Sequence, residues 1–135
     1  MAALDGFHHV KLPVTDVERT RDWYARVFGF EVTLEFVEEG VLMGVGMRDP
    51  GGTVPLAFRC DPDRAKAMSG FDPIAIGVPT SGQLDSWRQR LDELGEPHGG
   101  IVTGHVGSVL VGLHDPDGIE VRLYSLAADE DGSTS

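Results

Sequence analysis

Cysteine and basic residues are the two scarce groups in this 135-residue chain. Its single cysteine, Cys60, excludes an internal disulfide and any zinc site built from several cysteines. Eleven Lys and Arg stand against 22 Asp and Glu, and the resulting net charge of −11 disfavours a nucleic-acid partner. No apolar run approaches the roughly 20 residues of a membrane-spanning helix, so we expect no membrane partner. These absences predict a small acidic domain with its own core.

The single thiol and the two chain ends lead to two smaller expectations. The first ten residues, MAALDGFHHV, lack the basic start and apolar stretch of a secretory signal. Together with the lone cysteine, this predicts a cytoplasmic protein. Residues 127–135 are small, polar and acidic, which predicts a disordered tail that carries no chemistry.

Alternating apolar residues and helix-capping signals predict the same order of elements, βαβββ, twice along the chain. The two helices are predicted to begin at capping residues, Thr15 and Asp16 for the first and Thr80 and Ser81 for the second, and to end before Gly29 and Gly95. The predicted strands span residues 8–14, 31–38, 41–47 and 53–59 in the first half, and 71–78, 101–103, 108–113 and 119–125 in the second.

The two halves also match residue by residue, which indicates an internal repeat. At an offset of 64, Val10 falls on Ile74 and Trp23 falls on Trp87. At an offset of 66, the turn that starts at Asp49 falls on Asp115, and later pairs include Phe58 with Tyr124, Leu56 with Arg122 and Gly52 with Gly118. We therefore predict an α+β fold: one domain, residues 1–126, made of modules 6–60 and 70–126.

Strand alternation predicts which side chains face away from each helix. In the first module Val10, Leu12 and Val14 form the helix-side set, so His9 and Lys11 point the other way. In the last strand the helix-side set is Ile119, Val121 and Leu123, which leaves Glu120, Arg122 and Tyr124 on the opposite face. Polar residues on that face either line a cavity or cover a solvated sheet.

Two segments resemble a known superfamily. HHVKLPVTDVERTRDWYARVFGF resembles the opening of a vicinal oxygen chelate module, and LHDPDGIEVRLYSL resembles its closing turn and strand. This superfamily contains glyoxalase I, bleomycin-resistance proteins, fosfomycin-resistance proteins and extradiol dioxygenases. The resemblance implies an open eight-stranded barrel-like sheet around a cavity, usually in a homodimer.

The resemblance further implies up to four metal-ligand positions, which fall here on His9, Leu56, Pro73 and Arg122. Only His9 can bind a metal, since Leu56 and Pro73 lack a ligand atom and Arg122 is cationic. About three protein ligands are typical of a catalytic metal site, so we predict no metal cofactor and disfavour a divalent ion.

The sequence leaves open two kinds of chemical function and, as a third possibility, a domain that serves mainly as a dimeric scaffold. One is a small-molecule-binding protein similar to the bleomycin-resistance branch, in which Lys11, Arg122, Tyr124 and His114 bind a possibly anionic ligand. The other is a lyase, isomerase or dioxygenase in which His9 and Glu120 are catalytic, with a noncanonical metal set or with metal-free acid–base chemistry. Against both stand structural roles: a backbone-bonded His9, a Glu120–Arg122 ion pair and a core Tyr124.

Overall fold

The protein is described from a computed structural model that covers residues 1–105 and 107–125. The chain divides into two compact units, Met1–Met68 and Ser69–Ser135, each with its own four-stranded sheet. The predicted domain end at residue 126 and the predicted tail, 127–135, lie outside the described residues. In chain order the elements are β1 (Val10–Val14), α1 (Val17–Phe28), β2 (Glu31–Glu38), β3 (Val41–Arg48), β4 (Pro55–Cys60), α2 (Pro62–Met68), β5 (Ile74–Gly77), α3 (Ser81–Leu94), β6 (Ile101–Gly104), β7 (Gly107–Leu110) and β8 (Val121–Ser125).

The first unit has the strand order β1-β4-β3-β2. Strands β1 and β4 are parallel, and the other two pairs are antiparallel. Helix α1 packs on β3 and β4, where an aromatic cluster around Tyr24 and Phe58 forms the core. The second unit repeats the arrangement, with the order β5-β8-β7-β6 and α3 on β7 and β8. The predicted α+β fold of two βαβββ modules is therefore confirmed, with its eight strands arranged as two sheets of four.

Local capping signals fix the two long helices at the predicted residues. The Asp16 side chain accepts a hydrogen bond from the Arg19 N–H at the start of α1, and Thr80 does the same for Gln83 in α3. Gly29 and Gly95 end the helices in the left-handed conformation that glycine adopts without strain.

Helix α2 was not predicted from the sequence. Asp61 accepts a hydrogen bond from the Arg64 N–H, and Pro62 occupies the first helical position, where its missing N–H costs nothing. This Asp-Pro start was the available signal. Of the helices formed by the described residues, none is both long and apolar enough to span a bilayer.

Strand register corrects one detail of the predicted repeat. Phe58 lies across from Leu12, and Leu123 lies across from Ile76, so Phe58 corresponds to Leu123 and not to Tyr124. By the same pairing Arg122 corresponds to Ala57, whereas Leu56 is 3% exposed on the helix side. The second module has one residue fewer between the turn and its last strand, and a shift of one residue reverses the face of a strand.

Candidate functional site

A groove of about 680 Å³ lies on the face of the first sheet that points away from α1. Its volume is in the range of small-molecule sites. All the residues that line it belong to the first unit. They include His8, His9, Lys11, Thr33, Leu34, Phe36, Glu38, Gly46, Arg48, Pro55, Ala57 and Arg59.

Strand register arranges the groove-facing residues in rows across the sheet. The middle row runs from Lys11 on β1 through Ala57 and Gly46 to Leu34 on β2. One neighbouring row contains Pro55 and Arg48, and the other contains Pro13, Arg59, Gly44 and Phe36. The predicted orientation is confirmed for Lys11, which is exposed in the groove while Leu12 and Val14 are buried on the other side.

The floor of the groove is made mainly of backbone. On β3 the groove-facing positions next to Ala57 and Arg59 are both glycine. A Cβ added to Gly44 would lie 3.0 Å from the Phe58 carbonyl oxygen, and one added to Gly46 would lie 3.2 Å from the Thr33 hydroxyl. Because Ala57 contributes only a methyl group and Gly46 has no side chain, the floor is low between these two residues.

An irregularity in β2 adds a polar group to one wall. The pairing of β2 with β3 shifts register between Val32 and Leu34. A bulge of this kind re-aims side chains at a strand edge. Here Thr33 and Leu34 both line the groove, so a hydroxyl group lies beside an apolar surface.

Two of the four charged side chains in the groove neutralise each other. Arg59 donates to both carboxylate oxygens of Glu38, over 2.7 and 3.0 Å. The hydrogen bonds from Arg59 lower the pKa of Glu38. Lys11 and Arg48 form no ion pair with any residue in the described parts of the chain. The groove therefore holds two unneutralised positive charges, although the whole chain is strongly acidic.

Two adjacent histidines contact each other beside this groove. The Nδ1 atoms of His8 and His9 are 2.9 Å apart, and the rings meet edge to face. A hydrogen bond at this distance requires one Nδ1 to carry a proton and the other to accept it. Both side chains are exposed, so this pair is accessible to a ligand in the groove.

The second unit brings together another set of predicted residues. Arg122 Nε donates to Glu120 Oε2 over 2.8 Å and lies 3.5 Å from Asp72 Oδ2. Hydrogen bonds with Glu120 and Tyr124 raise the pKa of Arg122. His114 is exposed and lies across from Glu120 in an isolated antiparallel bridge. The structure thus contains the Glu120–Arg122 ion pair that the sequence left open as a structural alternative.

The predicted site residues therefore form two local groups. His9 and Lys11 line the groove of the first unit, and Glu120, Arg122, Tyr124 and His114 cluster in the second. Sequence reasoning missed Arg48, Phe36 and the Arg59–Glu38 pair. Alternation along β3 and β4 could have placed Arg48 and Arg59 on the groove face, but only with the cross-strand register known.

The side chains at the superfamily's metal positions do not form a metal-binding set. His9 is a potential ligand, but Pro73, Arg122 and Ala57, which replaces Leu56 in the corrected register, are not. Across residues 1–105 and 107–125, no three His, Cys, Asp or Glu side chains are grouped closely enough to hold an ion. These donors do not fit the metal site that the family implies.

The family assignment rests on most of the chain. Residues 6–123 match the family model of the glyoxalase/bleomycin resistance protein/dioxygenase superfamily. The chain belongs to this superfamily, which confirms the resemblance seen in the sequence.

One relative, from Bacillus subtilis (strain 168), matches nearly the whole chain. The chain is 26% identical over 138 residues to MhqA of Bacillus subtilis (strain 168), a proposed ring-cleaving dioxygenase; the match covers 96% of this chain and 42% of MhqA. The chain thus spans less than half the length of this relative.

Two solved structures share the fold at low sequence identity. TnmS3, an antibiotic binding protein from Streptomyces sp. CB03234, is 19% identical with a TM-score of 0.76, over 94% of this chain and all of TnmS3. Lactoylglutathione lyase from Agrobacterium tumefaciens is 17% identical with a TM-score of 0.73, over 92% and 96% of the two chains. A binding protein and an enzyme are thus similar to this chain to nearly the same degree.

Proposed function

We propose that this protein binds a small molecule in the groove of its first unit and does so without a metal ion. The observation that carries the proposal is the groove itself, which combines an apolar floor and wall with a few polar groups. Such a combination is typical of ligand pockets. The named activity of TnmS3, antibiotic binding, is consistent with this class of function.

The side chains at the family's metal-ligand positions support a function that needs no metal ion. Catalytic metal sites typically use about three protein ligands, and only His9 is available at the family's ligand positions. The cytoplasmic location remains a prediction from the single cysteine and the first ten residues. In that compartment the protein would sequester or carry its ligand.

Metal analysis of protein purified without chelators tests this proposal most directly. We expect clearly less than one divalent ion per chain after dialysis. We also expect no change in melting temperature with added nickel, zinc, manganese or iron(II), because a tight site would raise that temperature. A reproducible content of one ion per chain would overturn the metal-independent role and favour an enzyme.

A metal-free acid–base enzyme is the second candidate, and the His8–His9 contact favours it. A histidine that shares a proton with its neighbour at a ligand groove is placed to pass a proton to or from a bound ligand. Once a groove ligand is known, incubation with the protein followed by mass spectrometry distinguishes the two candidates. Chemical conversion that His9→Gln abolishes, with binding retained, would establish the enzyme.

We also propose that the protein works as a homodimer. Every residue of β2 is exposed, and the strand lies at the edge of the first sheet. Long exposed edge strands with apolar side chains favour pairing with another chain. The family resemblance is consistent with a symmetric partner that covers this edge.

A further inference from the structure

The groove combines two unpaired cations with an apolar wall of Leu34 and Phe36 on β2, and this arrangement defines a ligand more closely than the volume of the groove does. Lys11 on β1 and Arg48 on β3 flank β4, which lies between them. Neighbouring strands are about 4.8 Å apart, so the two cations stand on strands separated by about 10 Å. Their long side chains line the same groove and can approach one group from two sides.

Among the described residues that line the groove, Glu38 is the only carboxylate, and it does not pair with Lys11 or Arg48. Glu38 accepts hydrogen bonds from Nη1 and Nη2 of Arg59, and it lies near the end of β2. Glu31 is across from Arg48 in the register but forms no ion pair with it and does not line the groove. Distant surface carboxylates are screened beyond about 10 Å at ordinary salt concentrations. The side chains that line the groove therefore present a net positive charge to a ligand.

The shape of the rest of the groove favours a flat body. At Gly46 and Ala57 the floor carries nothing larger than a methyl group, so a planar ring can lie on this part of the sheet. Leu34 and Phe36 form the wall along β2, and Phe36 is 45% exposed. An exposed aromatic side chain in a groove can stack on, or meet the edge of, a ligand ring.

We propose that the ligand is a planar aromatic acid whose anionic group lies between Lys11 and Arg48 and whose ring lies over Gly46 and Ala57 beside Phe36. The inference rests on the proposed binding function and narrows its ligand class. It places the anion on Lys11 and Arg48, because Arg122 already has Glu120 and Asp72 as partners.

Calorimetric titration with matched probes tests the charge. Naphthoate, an aromatic acid, is compared with naphthalenemethanol, its uncharged analogue. We expect naphthoate to bind the wild type at least about tenfold more tightly, since hydrogen bonds to charged groups contribute this much. Lys11→Gln and Arg48→Gln should each remove most of this preference, whereas Lys66→Gln, on the exposed face of α2, should leave it unchanged.

A saturated probe tests whether the groove prefers a planar ligand. Decalin carboxylate has the charge and about the size of naphthoate but is not planar, and we expect it to bind the wild type about tenfold more weakly. Ala57→Leu should block naphthoate, whereas Ala67→Leu, exposed on α2, should not. Circular dichroism checks that both variants fold. The comparison of the two probes on the wild type remains valid even if Ala57→Leu does not fold.

Different outcomes separate failure of this inference from failure of the binding function. Equal affinity for the acid and the alcohol, or a preference unchanged in both cation variants, would overturn the anion assignment. Equal affinity for decalin carboxylate and naphthoate would overturn the inference that the ligand ring is planar. If the alcohol binds and Ala57→Leu abolishes its binding, the groove function survives without the acid. If no probe binds the wild type, the ligand class inferred here is wrong, and the metal analysis then tests the metal-independent role separately.

Discussion

Glu120 Oε2 accepts two hydrogen bonds, one from Arg122 Nε over 2.8 Å and one from the Gly112 N–H over 2.9 Å. The Glu120 side chain is only 13% exposed, so these bonds replace most of its contact with water. The hydrogen bond from Arg122, followed by the one from Gly112, lowers the pKa of Glu120. Glu120 thus connects β8 to the segment that follows β7. Its predicted catalytic role stays a prediction, since a general base would first have to release these donors.

Replacing Glu120 with Gln should make stability less dependent on pH. The lowered pKa means that the ionised carboxylate is favoured in the folded protein, so its contribution is complete above the unfolded value of about 4.3. That contribution is lost as the pH falls through the lower folded value. Near pH 7 we expect Glu120→Gln to lower the free energy of unfolding by about 1 kcal/mol.

Urea unfolding from about pH 7 to about pH 3 measures this effect. The gap between wild type and Glu120→Gln should close on the acid side. Glu93→Gln, an exposed change on α3, is the control and should stay within about 0.5 kcal/mol of wild type throughout. A gap that stays constant to the acid limit would contradict an ionised Glu120 as the stabilising species.

Features encoded by neighbouring residues were predictable from the sequence, whereas features that depend on strand pairing were not. The bounds of α1 and α3 follow from caps within a few residues of each end, such as Asp16 and Gly29. The groove depends on which residues of β2, β3 and β4 lie side by side, and this brings Arg48 and Phe36 together with Lys11. A difference of one residue between the modules was enough to assign Leu56 to the wrong face.

The register of β8 predicts unequal losses of stability at two neighbouring residues. Leu123 is fully buried against the helix, and Tyr124 faces the other way and is half-buried. Leu123→Ala should therefore destabilise the protein by about 2–5 kcal/mol, the usual range for truncating a buried Leu. Tyr124→Ala should cost clearly less. Chemical denaturation of both variants checks this order, and a larger loss for Tyr124→Ala would contradict the register.

A glycine beside Glu120 is predicted to be irreplaceable for a steric reason. Gly112 has φ of +75°, and a Cβ there would lie 2.7 Å from the Gly99 nitrogen. Both the left-handed backbone and this contact penalise a side chain, so Gly112→Ala should cost at least about 2 kcal/mol. Because Gly112 also donates to Glu120, its effect should not add simply to that of Glu120→Gln.

Gly77→Ala is the matched control for Gly112. Gly77 lies in β5 without a positive φ, and nothing is within 4 Å of the position that its Cβ would occupy. We expect its melting temperature to stay close to that of wild type or to rise slightly, because alanine restricts the unfolded chain. Equal losses in the two variants would show that the contact with Gly99 does not decide the effect.

The exposed edge at β2 predicts the oligomeric state. Val37 is 59% exposed, and among the described residues β2 pairs with β3 alone, so its outer hydrogen-bonding groups are open to a second copy. We expect light scattering at tens of micromolar to give twice the monomer mass, with the same patch of both chains in the interface.

Val37→Lys places a charge on this edge and should shift the protein towards monomer, since charged side chains block edge pairing. Ala67→Lys adds the same charge on exposed α2 and should leave the dimer intact. A wild type that is monomeric at this concentration would refute the dimer, and a dimer insensitive to Val37→Lys would exclude β2 from its interface.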